Sequence, residues 1–234
     1  MTFRATLANH PMLFGAFALI VGFVLFVLLF VIRVGVGGGP VSGRVIDVDT
    51  NLPITGAIVV AQWQKSSLSI ADSTSYCIHV ETAASAEDGH YRIARWWQFP
   101  PILGFDGLTW VDAYYPGYES VHSHTTVAEG HPEYVYMRKF VGNDAQRFEY
   151  IGYRVFGGMN CDQAGASRRN LFALFKNALR EAARLARTQE QRIELDRGMR
   201  QDAARAWLAQ PSDAAALSGE PIEELPKYVR EQLE

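Results

Sequence analysis

An uninterrupted apolar segment near the N-terminus constrains this chain more than any other feature of its sequence. From Met12 to Ile32 no side chain carries a charge or a hydrogen-bonding group. At the helical rise per residue this segment makes roughly 32 Å of helix, about the thickness of the hydrocarbon core of a bilayer. A single segment crosses lipid only as a helix, because every backbone amide must find its partner internally. We therefore predict a transmembrane anchor over residues 12–34, after a short N-terminal tail over residues 1–11.

The flanks and faces of this segment indicate how it is used. One basic residue, Arg4, precedes it and no small-residue cleavage site follows it, so we predict an uncleaved signal anchor. Gly15, Ala18 and Gly22 share one helix face, and small residues let a second helix approach closely. We predict helix packing through these three residues. The basic residues on the two flanks balance, so charge leaves the membrane orientation open.

The remainder of the chain sets bounds on the class of protein. Residues 35–40 form a Gly-rich tether that ends the helix and allows swivelling. Of the 234 residues, about 200 follow the anchor, enough for one domain with an appendage or for two small domains. The net charge of −3 gives no electrostatic reason to bind nucleic acid. We therefore expect no nucleic-acid partner.

Beyond the tether the hydrophobic period changes from helical to two. Short apolar runs are separated by strong turn signals, such as Pro100-Pro101, Pro116-Gly117 and Gly130-His131-Pro132. Many short strands with Gly and Pro turns are typical of an antiparallel sandwich. Gly56 and Gly89 lie at turn positions where a positive φ is expected. The candidate strands are residues 41–48, 57–64, 75–81, 90–95, 108–114 and 133–140.

Three motifs within this region occur in a fixed order. They read Gly43-x-Val45-x-Asp47 with Leu52-Pro53-Ile54-x-Gly56-Ala57-x-Val59, then Ala86-Glu-Asp-Gly-His-Tyr-Arg-Ile93, then Val111-Asp-Ala-Tyr-Tyr-Pro-Gly-Tyr-Glu119. Together they resemble the motifs of carboxypeptidase regulatory-like domains, which are transthyretin-like β-sandwiches. The resemblance covers roughly residues 41–138 and implies a seven-stranded sandwich that is mostly extracytoplasmic. It is nearly silent on function, because function lies in sites grafted on a fold.

The resemblance also decides the expected location. We expect the anchor in the inner (cytoplasmic) membrane of a bacterium, as a single pass with the C-terminal part in the periplasm. Cys77 and Cys161 form neither a C-x-x-C motif nor a zinc-ligand spacing. In an oxidising compartment they would form one disulfide that ties the C-terminal region to the sandwich, whereas both would stay free in the cytosol. We predict the disulfide.

An apolar insertion interrupts the strand pattern after Arg95. Its Pro100-Pro101 pair prevents a regular strand. Two interpretations stay open: a loop that docks on a partner or on the membrane interface, or side chains that fold back over the sandwich edge as core. The candidate partner loop consists of Trp96, Trp97, Phe99, Ile102, Leu103 and Phe105.

Candidate sites for metals and for catalysis are weak. His122 and His124 would share a strand face, but two histidines lack the further ligands that zinc needs. Asp47, Asp49 and Asn51 resemble an alternating calcium loop without its Gly and closing Glu, so a turn is the plainer interpretation. No nucleophile lies in an activating motif. We predict no catalytic residue, no metal site and no cofactor.

The C-terminal third changes character twice. Residues 141–166 form an aromatic and Gly-containing linker, either a last hairpin or a crossing segment. Residues 167–210 predict a long amphipathic helix with Ser167 as its N-cap. Its apolar stripe can dock on the sandwich or a partner, which we favour, or on anionic lipid. Residues 211–234 form a Pro-containing acidic tail.

These features lead to one fold and two functions. The expected fold is a single transmembrane helix, an all-β antiparallel transthyretin-like sandwich over residues 41–140, and an α-helical C-terminal region. The expected function is that of a non-catalytic, single-pass envelope protein that acts as an interaction or scaffolding module, for example as an accessory subunit of a larger membrane complex. Its partners would be the lipid bilayer and other membrane or envelope proteins. The alternative is an extracytoplasmic module that binds a glycan or a metal on the sandwich edge.

Overall fold

The chain divides into two compact units. The described residues of the first unit are residues 19–27, which are helical and are called α1 here. The second contains every other residue described below. The computed structural model describes residues 19–27, 38–66, 75–96, 108–121, 125–126, 133–161 and 165–208.

The predicted transmembrane anchor needs correction. Among the described residues, no helix is long and apolar enough to cross a membrane. Of the predicted packing face, Gly15 and Ala18 lie outside the described residues. Gly22 lies in α1, and a Cβ atom built there would have no neighbour within 4 Å.

In the second unit, the described strands form two four-stranded sheets. The first sheet has the order β4-β1-β8-β6 and the second the order β3-β2-β5-β7. The sheets contact each other through β5 with β6 and β8, and through β3 with β4. The strands are β1 (Val41–Asp47), β2 (Ile58–Ser66), β3 (Ser75–Ala84), β4 (His90–Ile93), β5 (Leu108–Tyr114), β6 (Tyr118–Ser120), β7 (Thr125–Thr126) and β8 (Glu133–Lys139).

The strands correspond closely to those read from the sequence, but their pairing is not all antiparallel. Strand β1 pairs with β8 in parallel, with Val45 opposite Val135 and Ile46 opposite Tyr136. A parallel pair needs a long crossover, and here the chain passes through the second sheet between the two strands. The positive φ predicted for Gly56 and Gly89 is confirmed, with values of 76° and 78°.

Helices replace the hairpin or crossing segment expected after Gly142. Asn143 caps α2 (Asp144–Tyr150) in a capping box with Gln146, and the chain continues as a π-helix over Ile151–Gly158. A capping box satisfies two backbone N–H groups at once, which fixes the start of the helix.

The expected long helix is also divided. It begins as a 3₁₀-helix over Gly165–Leu171, continues as α3 (Phe172–Leu185) and breaks where Ala186 becomes extended. Thr188 then starts α4 in a capping box with Gln191, so the break has a local signal in the sequence. The remaining elements are α4 (Gln189–Glu194), a π-helix over Leu195–Met199 and α5 (Arg200–Leu208).

The helices form a third layer on the second sheet. Val60, Val80, Trp110 and Tyr114 of this sheet share one buried core with the helical side chains. The stripe predicted for the amphipathic helix therefore docks on the sandwich of its own chain. The fold is mixed α/β, which corrects the expected transmembrane helix and all-β sandwich followed by an α-helical region. The helical part of this core includes Phe148, Ile151, Val155, Leu174, Phe175, Ala178 and Leu179.

Candidate functional site

The outer face of the second sheet, called the covered face here, lies under the helices and is held by a buried ion pair. Arg147 of α2 donates two hydrogen bonds to Glu181 of α3, from Nε to Oε1 at 2.9 Å and from Nη2 to Oε2 at 3.0 Å. Tyr114 of β5 donates to Glu181 Oε2 at 2.6 Å, and the Gly117 N–H donates to Oε1 at 3.0 Å. Arg147 also donates to the Tyr118 carbonyl at 2.6 Å. Two helices and the β5–β6 turn thus meet at one carboxylate.

This network sets the ionisation of its members. Burial opposes the charge of Glu181, but the hydrogen bonds from Arg147 and Tyr114 outweigh it and lower the pKa of this carboxyl. Burial raises the pKa of the Tyr114 hydroxyl, and the Glu181 charge raises it further. Glu181 therefore stays charged and Tyr114 stays neutral at ordinary pH.

Further links fasten the helices to the covered face. A disulfide joins Cys77 of β3 to Cys161, which follows the π-helix, as the sequence led us to expect. Gln62 donates from Nε2 to the Met159 carbonyl at 2.6 Å. Asn170 donates from Nδ2 to the Val80 carbonyl at 3.0 Å, so the 3₁₀-helix protects the edge strand β3.

The outer face of the first sheet, called the open face here, is different. Along β8 the side chains alternate, with Val135 and Met137 buried while Tyr134 and Tyr136 are 51% and 37% exposed. The two tyrosine rings stack on each other with their centroids 6.0 Å apart. No helix among the described residues lies over these rings. The open face comprises Ser42, Arg44, Ile46, His90, Arg92, Glu119, Tyr134, Tyr136 and Arg138, which the strand registers place on one side. Ile46, opposite Tyr136, is its buried member at 8% exposed.

Basic side chains lie beside the tyrosine pair. Arg44 of β1 lies between Tyr134 of β8 and His90 of β4 in the strand register. Arg92, two residues after His90 on β4, is exposed. Asp88 lies 3.8 Å from Arg44 at the rim of the sheet. The backbone hydrogen bond from His90 to Asp88 lowers the pKa of this carboxyl. The face therefore presents more arginine than carboxylate around an aromatic centre.

The open face combines tyrosine and arginine side chains. Tyrosine and arginine are the residues that interfaces and their energetic hot spots select, because each combines a large contact area with directed hydrogen bonds. The sequence contains a signal for this face, the alternation Tyr134-x-Tyr136-x-Arg138 in a strand with a buried opposite side. We did not predict the face, since the same alternation is also typical of an ordinary solvated strand.

The predicted partner loop is placed only in part. Trp96 is 6% exposed and packs on His79 at a ring distance of 4.0 Å and on Trp63 at 5.6 Å. This tryptophan folds back as core, which is the second of the two interpretations. Residues 97–107, which contain the rest of the predicted loop, lie outside the described residues.

The candidate metal residues give no centre in the described part of the chain, where no group of three or more possible ligands is found. His122 and His124 lie outside the described residues. Asp47 is buried, and its Oδ1 accepts hydrogen bonds from the Asp49 and Thr50 N–H groups. These bonds lower the pKa of Asp47 against the opposing effect of burial. The segment from Asp47 to Thr50 therefore forms a turn.

Comparisons with family models, with curated proteins and with solved structures find no match for this chain. The resemblance to carboxypeptidase regulatory-like domains therefore rests on the three sequence motifs and stays a prediction.

Proposed function

We propose that this chain is an interaction module that docks on a protein partner through the open face. The observation that carries the proposal is the contrast in cover: the helices lie on one outer face, while Tyr134 and Tyr136 remain exposed on the other. Exposed aromatic side chains grouped with arginines on a sheet are typical of the core of a protein interface.

The chemistry of the face selects the partner. Arg44, Arg92 and Arg138 outnumber Asp88 and Glu119, so the partner presents carboxylates to this face. Such complementarity sets the association rate and the specificity more than the affinity. The disulfide between Cys77 and Cys161 supports an oxidising compartment as the place where the two proteins meet.

The proposal is tested by photo-crosslinking in the cells that produce the protein. A photoreactive phenylalanine analogue replaces Tyr136, and a matched control carries it at Arg180, which is exposed on α3. We expect a discrete crosslinked product from position 136 and none of the same mass from position 180. Mass spectrometry of the product then identifies the partner.

A charge reversal tests whether the crosslinked partner binds through the open face. Arg92→Glu in the chain that carries the analogue at position 136 should abolish the product, because it places a carboxylate against the acidic partner. Equal products from positions 136 and 180, or a product that persists with Arg92→Glu and in high salt, would remove the open face from the account. That the chain has no catalytic activity stays a prediction.

A further inference from the structure

A cleft lies between the covered face and the π-helix that follows α2. Its volume is about 440 Å³, within the range of sites for small molecules. It is a separate feature from the open face, since it lies on the other sheet. Its walls, among the residues that the structure describes, are Gln64, Trp110, Tyr153, Arg154, Gly157 and Gly158.

The π-helix makes room for this cleft. The Met159 N–H donates to the Arg154 carbonyl at 3.1 Å, the i to i−5 bond of a widened turn. Such turns are rare and occur frequently at functional sites. At its end Gly157 and Gly158 contribute no side chain. A Cβ atom at Gly158 would lie 3.9 Å from Cη2 of Trp110, so a longer side chain there would occupy the space in front of the indole.

A compensated charge lies in the wall of the cleft. Arg154 is 3.4 Å from Asp112, from Nη2 to Oδ2, and the Asp112 side chain is 1% exposed. The other carboxylate oxygen accepts the Ala113 N–H at 2.8 Å. This fixed carboxylate neutralises the guanidinium, while the arginine side chain remains 21% exposed. The cleft therefore offers charged hydrogen-bond donors without a net charge.

We propose that this cleft binds a neutral sugar. Tyr153, which is 79% exposed, supplies aromatic surface for the C–H face of a pyranose ring, because an aromatic ring combines a large apolar area with a fixed geometry. Trp110 is only 8% exposed and contributes part of the wall of the cleft. Arg154, the Gln64 amide and the Tyr153 hydroxyl supply donors and acceptors for ring hydroxyls. An anionic ligand gains little here, since Asp112 cancels the charge of Arg154. The proposal uses none of the residues of the open face and holds or fails independently of the proposed function.

Saturation-transfer NMR on the full chain tests this site. The probes are glucose, galactose, mannose, N-acetylglucosamine and cellobiose, with glucuronate as the anionic comparison. We expect saturable binding of at least one neutral sugar and weaker binding of glucuronate. Tyr153→Ala changes a side chain that is 79% exposed, so the variant keeps the fold and should weaken binding about tenfold.

A second variant checks the position of the ligand. Gly158→Leu fills the space before Trp110 and should abolish binding, while Gly158→Ala adds one methyl at ordinary contact distance and should preserve the thermal transition. The control is Tyr134→Ala with Tyr136→Ala, which should leave sugar binding unchanged. No binding by any neutral sugar, a preference for glucuronate, or binding that survives both Tyr153→Ala and Gly158→Leu would overturn the proposal.

Discussion

The two outer faces of the sandwich differ in what covers them. On the covered face, β5 is buried on both sides from Trp110 to Tyr114, because the first sheet lies on one side and helices on the other. On the open face, β8 is buried on one side and exposes Tyr134 and Tyr136 on the other. The two sheets have the same number of described strands. The difference lies in what their outward side chains contact.

The comparison teaches that the helical region belongs to the fold. Its links to the sheet include the hydrogen bond from Tyr114 to Glu181, whose charge is paired with Arg147, and the disulfide between Cys77 and Cys161. A module with one face committed to its own chain has the other face available for a partner. The predictions below break the covered face first and then examine the open face.

Arg147→Met should have the largest effect on stability. It leaves the buried carboxylate of Glu181 without its cation, and we expect a loss of about 3–5 kcal/mol in the free energy of unfolding. Urea unfolding followed by circular dichroism measures this loss. Arg147→Met with Glu181→Leu removes both charges and should recover most of it. A single variant that costs less than about 1 kcal/mol would show that the pair does not stabilise the fold.

Removal of the disulfide comes next. The bridge closes a loop of 84 residues in the sequence, so the double variant Cys77→Ala with Cys161→Ala should lose about 2–4 kcal/mol. The reduced native protein is the control and should unfold at the same urea concentration as the variant. An unchanged midpoint would mean that the bridge does not constrain the unfolded chain.

A glycine pair compares the two sheets at their turns. Gly89→Ala forces a Cβ atom to 2.7 Å from the Val45 carbonyl oxygen at a φ of +78°, and we expect a loss of about 2–3 kcal/mol. Gly56→Ala has the same sign of φ but nothing within 4 Å, so it should cost about 1 kcal/mol. Thermal denaturation of both variants gives the difference. Equal losses would show that the contact with Val45 does not matter.

The ion pair of Arg147 and Glu181 should also make the free energy of unfolding sensitive to acid. The pKa of Glu181 in the folded chain is lower than its ordinary value of 4.5, so the stability from its charge is fully present above that value. This stability is lost as the pH falls through the folded pKa. Unfolding measured between about pH 5 and pH 3 should therefore show a decline that Glu181→Gln makes shallower. An identical slope in the variant would exclude Glu181 as a source.

The smallest effect on stability should come from the open face. Tyr134→Ala with Tyr136→Ala truncates side chains that are about half exposed, and we expect a change within about 1 kcal/mol. Because both tyrosines are replaced, the photoreactive analogue is placed at position 138 instead. Its crosslink to the partner should form in the chain that keeps Tyr134 and Tyr136 and disappear in the double variant. A loss of several kcal/mol would instead indicate that the tyrosines serve the fold.

The sequence predicts the positions of the strands better than it predicts which elements pack on them. Alternation and turn residues place β1, β2 and β5 almost to the residue, and the left-handed glycines follow from turn chemistry. The apolar stripe of α3 is visible as well. Its docking on the strand face around Val60 could not be derived, because an apolar stripe does not say which surface it meets.

Other features of the fold were not predicted, because the local sequence pattern favoured another structure or carries no information about distant contacts. The capping box of Asn143 and Gln146 is present in the sequence, but the aromatic residues after it suggested a strand. The parallel pairing of β1 with β8 depends on contacts far apart in the chain, which local pattern does not encode. The partnership of Arg147 with Glu181 is hidden for the same reason.

Oxidative footprinting of tyrosines tests the central claim most directly, by comparing purified protein with protein oxidised inside its own cells. The account predicts that Tyr134 and Tyr136 react in the purified protein and are protected in the cell. Tyr114, which is buried under the helices, should react in neither. Equal reaction of Tyr134 and Tyr136 in both settings would contradict the claim that the open face holds a partner.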